Sequence, residues 1–133
     1  MNTHSLACAI RTFLLDVAPD LTVHLPVNNA ELHEPYILLN LTADNELVAG
    51  NHTWECTLSV EVHTEAHDQL PLESRRLMSK VCGILSAKST KKQLNDAALD
   101  FFLYALSLRS VNEPQAQEST FTQTADFRIV VQF

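Results

Sequence analysis

Two stretches in which apolar and polar residues alternate constrain this chain more than any other feature of its sequence. One is WECTLSVEV, from Trp54 to Val62, and the other runs from Phe121 to Phe133. Successive side chains of a β-strand point to opposite faces, so each stretch predicts a strand with one buried and one solvated face. Such strands are typical of antiparallel sheets that cover only one side with helices.

Apolar residues at helical spacing predict two helices. The first covers about residues 4 to 17, with Thr3 or Ser5 as its cap, and the second covers about residues 70 to 87. LTVHLP and PYILLNLTA predict two strands between the first helix and WECTLSVEV, and FFLYALSLRSV predicts another strand before the last. The segment STKKQLNDAAL is a polar connection with room for one more helical turn.

The predicted element order is α-β-β-β-α-β-β, which has too few helices to cover both faces of a parallel sheet. We therefore predict a single α+β domain over residues 1–133, with a largely antiparallel or mixed sheet and two α-helices on one face. Its predicted core includes the apolar-face residues Trp54, Leu58, Val60, Leu77, Val81, Phe127 and Ile129.

Composition excludes several classes of function. Nine Lys and Arg against 16 Asp and Glu give a formal charge of −7, which argues against a surface that grips nucleic-acid phosphates. No apolar run approaches the length of a membrane span. Cys8, Cys56 and Cys82 are odd in number and widely spaced, which favours a reducing cytoplasm over a disulfide framework.

The hexapeptide HTEAHD, residues 63 to 68, is the strongest candidate for chemistry. His63 and Glu65 share one strand face and could approach a metal ion together with His67. The alternative is a strand-to-helix junction, in which His63 continues a solvated face and Asp68 caps the next helix. We favour the junction, because helix caps are far commoner than metal sites without a recognised motif.

Other catalytic patterns are weak. No GxSxG, P-loop or GxGxxG sequence occurs, and two glycines are too few for a phosphate-binding loop. Cys56 and Cys82 fall on apolar stripes, and Cys8 has no base at an identifiable position. We therefore predict no catalytic residue, no metal and no cofactor, and a protein that is not an enzyme.

The segments TVHLP, PYILLNLTA, WECTLSVEVHT, ESRRLMSKVCGIL, YALSLRSVNEPQ and TADFRIVVQF, in this order, resemble the tail terminator, or tail completion, proteins of tailed bacteriophages. The resemblance implies a virion protein, made in the host bacterial cytoplasm, that forms a homohexameric ring on the tail tube. Such a ring stops tube polymerisation and joins the tail to the head connector, while phage DNA passes through it without specific binding. A different neck component remains open, and so does a small metal enzyme using His63, Glu65 and His67.

The resemblance also implies that two loops, near residues 43 to 53 and 112 to 119, face neighbouring subunits, the tube or the connector. The candidate interface residues in these loops are Asp44, Glu46, Leu47, Val48, Asn51, Glu113, Gln115 and Gln117. Leu47 and Val48 are adjacent apolar residues in a polar segment, which are either tucked against their own domain or buried in a partner. A size argument agrees with six copies. A globule of 133 residues is about 36 Å across, and six in a ring leave a hole of about that width. A DNA duplex about 20 Å wide would pass through it, whereas four copies would leave only about 15 Å.

Overall fold

A computed structural model describes residues 2–26, 32–66 and 71–133. The elements in chain order are α1 (Thr3–Val17), β1 (Val23–His24), β2 (Tyr36–Val48), β3 (Thr53–Glu65), α2 (Leu72–Ser86), α3 (Thr90–Ala97), β4 (Phe102–Val111), β5 (Gln115–Gln117) and β6 (Thr120–Gln132). These helices and one mixed six-stranded sheet form a single α+β domain, which confirms the predicted fold class.

The two alternating stretches of the sequence form the centre of the sheet. The strand order is β1-β2-β3-β6-β4, and β5 also pairs with β6. β3 and β6 are antiparallel and pair from Thr53↔Gln132 to Glu65↔Thr120. Only β1 runs parallel to its neighbour, at Val23↔Ile37 and His24↔Leu38, whereas all other pairings between the described strands are antiparallel.

The three helices pack against one face of the sheet and enclose the core. Side chains alternate between buried and half-buried along β3 and β6, as the sequence pattern predicts. Among the predicted core residues, those fully buried are Leu58, Val60, Val81, Phe127 and Ile129. Trp54 and Leu77 are half-buried and pack against the core from its margin. Trp54 is the second residue of β3 and lies beside a hairpin turn, and Leu77 lies beside the buried Met78 on α2.

The structure contains a third helix, α3, where the sequence analysis allowed one further helical turn. Only Thr90 and Leu94 of its eight residues are buried, so its apolar periodicity is too short to identify it. The Thr90 hydroxyl donates a hydrogen bond of 2.6 Å to the Ile84 carbonyl, which ties α3 to the end of α2. The cap of α1 also differs from the prediction, because the Asn2 side chain accepts the Ser5 amide at 3.1 Å.

The predicted loop near residues 43 to 53 is mostly strand, which corrects the placement of Asp44, Glu46, Leu47 and Val48. β2 continues to Val48 and pairs with β3 as far as Val48↔Thr53. Two register irregularities, at Ala43/Asn45 and Glu46/Val48, accommodate polar residues that disfavour regular strands. The turn itself covers residues 49–52 and includes Gly50 at φ +80°, a conformation that glycine adopts without strain.

The second predicted loop, residues 112 to 119, is likewise only partly loop. Gln115 and Gln117 belong to the short strand β5, which pairs with the start of β6. The buried side chain of Gln123 holds this region to α2, since its amide donates to the Asn112 carbonyl at 3.0 Å and accepts from Ser74 at 3.1 Å. None of the helices within the described residues is long and apolar enough to span a bilayer.

Candidate functional site

His63 is held by its neighbours on the polar face of the sheet. Its ring stacks on Tyr36 with centroids 4.5 Å apart, Nε2 lies 3.2 Å from Glu61, and Nδ1 lies 3.3 Å from the Thr122 hydroxyl. Burial, together with the carboxylates of Glu34 and Glu61, raises the pKa of Tyr36. Both ring nitrogens of His63 thus have partners, Glu61 on its own strand and Thr122 on β6.

The rest of the HTEAHD prediction reaches outside the described residues. His67 and Asp68 lie there, so the proposed third metal ligand and the proposed helix cap have no described position. Within residues 2–26, 32–66 and 71–133, no group of three or more His, Cys, Asp or Glu side chains is arranged to bind a metal ion. In the described part of this cluster, His63 contacts Glu61 on its own strand and Tyr36 and Thr122 on the two neighbouring strands.

One pair of chemically reactive groups was missed by the sequence analysis. His4 Nε2 lies 3.4 Å from the Cys8 sulfur, so Cys8 does have a basic group beside it. The signal was the i,i+4 spacing on α1, which places two side chains one above the other on a helix. His4 is exposed, and neither residue lines the clefts described below.

The other two thiols are embedded in the fold. Cys56 is fully buried, and burial together with the Asp44 and Glu55 carboxylates raises its pKa to about 11. Cys82 is half-buried at the margin of the core, and burial raises its pKa. A high pKa keeps a thiol protonated, whereas the thiolate is the nucleophile. These environments suit packing and oppose nucleophilic chemistry.

The polar face of the sheet carries paired charges of both signs. Glu55 accepts a hydrogen bond of 2.8 Å from Arg128 and lies 3.8 Å from Arg109, and Asp126 accepts one of 2.8 Å from Ser59. Both of these cations lie beside Glu55, so the face offers no free cluster of cations among the described residues for an anionic ligand.

Within the described residues, the outer edge of β2 is the first of two open edges of the sheet. β1 covers β2 only at Ile37 and Leu38, and no other strand of the described residues pairs with β2 on that side. At its far end Leu47 is 46% exposed and Val48 is 52% exposed.

Polar contacts hold this end of the hairpin in shape. The Asp44 carboxylate accepts a hydrogen bond of 2.6 Å from Thr57, and the Glu46 carboxylate accepts the Gly50 amide at 2.8 Å. Asn51 lies in the turn, where its carbonyl accepts from Gln132 at 3.2 Å. The first five candidate interface residues therefore lie together on the β2–β3 hairpin.

The outer edge of β4 is the second open edge, on the opposite side of the sheet. It exposes several apolar side chains by roughly half, namely Phe102, Tyr104, Leu108 and Val111. In the part of the chain that the structure describes, only the start of this edge is covered. The Asn95 side chain accepts the Leu103 amide at 2.7 Å and donates to the Leu103 carbonyl at 3.0 Å, as a neighbouring strand would.

The remaining candidate interface residues extend from the far end of β4. Glu113 accepts a hydrogen bond of 2.9 Å from Arg75 of α2, and Gln115 and Gln117 are exposed on β5. The structure therefore divides the predicted interface set between two opposite edges. Sequence analysis missed Phe102, Tyr104, Leu108 and Val111, because an alternating apolar pattern does not reveal which strand lies at an edge.

The comparisons with known proteins identify the fold and no activity. No protein-family model matches the chain, and no curated protein matches it in sequence. Solved structures do match, and one of them superposes with a TM-score of 0.62 at 14% identity over 100% of this chain and 97% of its own. The name of that protein carries no functional information. The two chains therefore share the α+β architecture over nearly their whole lengths.

Proposed function

We propose that this protein is a structural, non-enzymatic virion component of the phage tail terminator type. In this role it forms a homohexameric ring on the end of the tail tube, stops tube polymerisation and presents the surface that joins the tail to the head connector. The observation that carries the proposal is the pair of open, partly apolar edges on opposite sides of one sheet. A subunit with two different association-prone edges binds its neighbours head to tail. Such association forms a closed ring when the rotations between successive copies add up to a full turn.

The exposed side chains support assembly at these edges. Soluble monomers seldom leave a long strand edge open beside apolar groups, because such edges associate with other chains. Here Leu47 and Val48 mark one edge, and Leu108 and Val111 mark the other. Assembly into a ring would bury both edges of every subunit at once.

The charge of the chain supports the passage of DNA. The formal charge of the chain is −7, and on the polar sheet face the cations Arg109 and Arg128 both lie beside the Glu55 carboxylate. A channel through which DNA slides should not retain phosphates, and phosphate contacts by cations are the main source of non-specific affinity. The size argument from chain length leaves a hole wide enough for a duplex in a ring of six.

Mass and function can be tested separately. Six copies of the 14.9 kDa chain give a ring of about 89 kDa, which light scattering and electron microscopy would detect. When it is added to polymerising tail tubes, the protein should bind tube ends and limit tube length in proportion to its concentration. A protein that stays monomeric at high concentration and in the presence of tubes would contradict the proposal.

A different neck component is the main alternative outcome. A ring that does not bind tube ends and instead binds the portal side of the head would assign the protein to head closure. A binding assay with separated heads and tubes distinguishes the two assignments.

A further inference from the structure

We propose that the ring contact is a continuous antiparallel sheet, in which the β4 edge of one copy pairs with the outer β2 edge of the next. The inference rests on the proposed ring and names the surfaces that close it. The two open edges match each other in height in the sheet, in strand direction and in charge.

The two edges lie at the same height in the sheet. Ala43 pairs with Cys56, Cys56 with Ile129, and Ile129 with Leu106, so Ala43 and Leu106 lie level with each other across the four strands. In the same way, Leu39 pairs with Val60, Val60 with Ala125, and Ala125 with Val111, so Leu39 and Val111 are level. Residues 39–43 of β2 are therefore level with residues 106–111 of β4. A neighbour placed by pure rotation, without a shift along the strands, brings these two segments side by side.

The strand directions also match. β2, β3, β6 and β4 are each antiparallel to the next, so β2 and β4 run in opposite directions. If the rotation axis is roughly parallel to the strands, β2 of the neighbour meets β4 as an antiparallel partner. This is the arrangement in which strand addition forms regular hydrogen bonds.

A cleft beside β4 can receive the side chains of the incoming strand. Two adjoining clefts of about 460 and 300 Å³ run between α2 and β4, from Val111 and Leu108 to Tyr104. Met78, Cys82 and Ser86 form the helix wall. In strand addition the main chain supplies the hydrogen bonds, and pockets of this kind receive alternate side chains.

Charges distinguish the occupant. Among the described residues, the linings of these two clefts include three cations, Arg75, Lys88 and Lys91, and no carboxylate, although the chain is acidic as a whole. Arg75 is paired with Glu113, and Lys88 and Lys91 lie at the end near Tyr104. At this height the neighbour presents Glu46, which pairs with Trp54 and so lies on the helix face of the sheet.

The covered start of β4 fits the same arrangement. The Asn95 side chain already bonds to the amide and the carbonyl of Leu103 that face the edge, and Lys91 donates to the Tyr104 carbonyl at 3.1 Å. Strand pairing is therefore restricted to residues 105–111, and the end of the incoming hairpin meets the lysines instead. A second copy of this chain supplies an edge of the right direction, height and charge.

Two variants test the contact because each disables one edge only. Leu47→Lys with Val48→Lys places positive charge against Lys88 and Lys91, and Leu108→Asp places a carboxylate in the paired segment. All three positions are about half exposed, so the subunits should stay folded. Val17→Lys and Val17→Asp are matched controls, since Val17 is 53% exposed at the end of α1. Circular dichroism and thermal midpoints would verify folding.

We expect each edge variant alone to be monomeric, and the control variants to assemble as the wild type does. An equimolar mixture of the two edge variants has one intact pair of edges, so it should form a dimer of about twice 14.9 kDa and nothing larger. If the wild type forms a ring and either edge variant does too, the proposed contact is wrong while the ring remains.

A wild type that is monomeric in isolation still permits the test. At about 1 mM, a contact with a Kd near 1 mM is partly occupied, and NMR shift changes should be confined to residues 39–48, 88–91 and 105–111. Their absence at this concentration, or changes elsewhere, would overturn the proposed contact. The tube-capping assay then decides the proposed function independently.

Discussion

Replacing Asn95 by alanine should destabilise the subunit by exposing the start of the β4 edge. Its side chain makes two hydrogen bonds with one residue, to the Leu103 amide at 2.7 Å and to the Leu103 carbonyl at 3.0 Å, in a partly buried setting. Each such bond contributes about 1 kcal/mol net, so their joint loss should cost about 2 kcal/mol. For a chain of this length, that cost lowers the thermal midpoint by about 7 °C.

Thermal and chemical unfolding of Asn95→Ala would measure the cost, and hydrogen exchange would localise it. The Leu103 amide should exchange faster in the variant, while amides in the β3–β6 pair should change only as far as global stability does. Gln93→Ala is the matched control, because Gln93 is an exposed residue of the same helix. A midpoint within 1 °C of the wild type, with unchanged Leu103 exchange, would refute the assignment of Asn95 as the partner of this edge.

The sequence was informative where one physical signal dominates. β3 and β6 have one face against helices and one face toward solvent. Apolar and polar residues therefore alternate along them with a period of two. The first two helices bury one stripe each, which produces the corresponding 3.6-residue pattern.

The sequence was misleading where tertiary contacts override local preference. Asp44 and Asn45 indicate a turn, yet cross-strand pairing with β3 continues the strand through two irregularities. α3 depends on Thr90, Leu94 and Asn95, of which two act through hydrogen bonds to residues outside the helix. Such contacts leave no periodic trace in the sequence.

The candidate site depends on the order of strands in the sheet, which the sequence does not encode locally. β6, the last strand in the chain, inserts between β3 and β4 and leaves β4 at the edge. The apolar residues of β4 predict a strand but not its place in the sheet, so Leu108 and Val111 could not be identified as surface candidates. Leu47 and Val48 were identified because two adjacent apolar residues in a polar segment are visible without the fold.

Two further predictions concern the core and the buried thiol. Phe127→Ala should cost about 3–5 kcal/mol and Trp54→Ala about 1–3 kcal/mol in chemical denaturation, because Phe127 is fully buried at the sheet centre and Trp54 is half-buried. Equal losses would contradict this burial difference. In the native protein, Cys56 should resist thiol reagents at pH 8 while the half-buried Cys8 reacts. A pKa of about 11 leaves only about one Cys56 thiol in a thousand ionised at that pH. Burial blocks the reagent as well, so Cys56 labelling should follow global unfolding, and rapid labelling in the folded state would show that β3 opens locally.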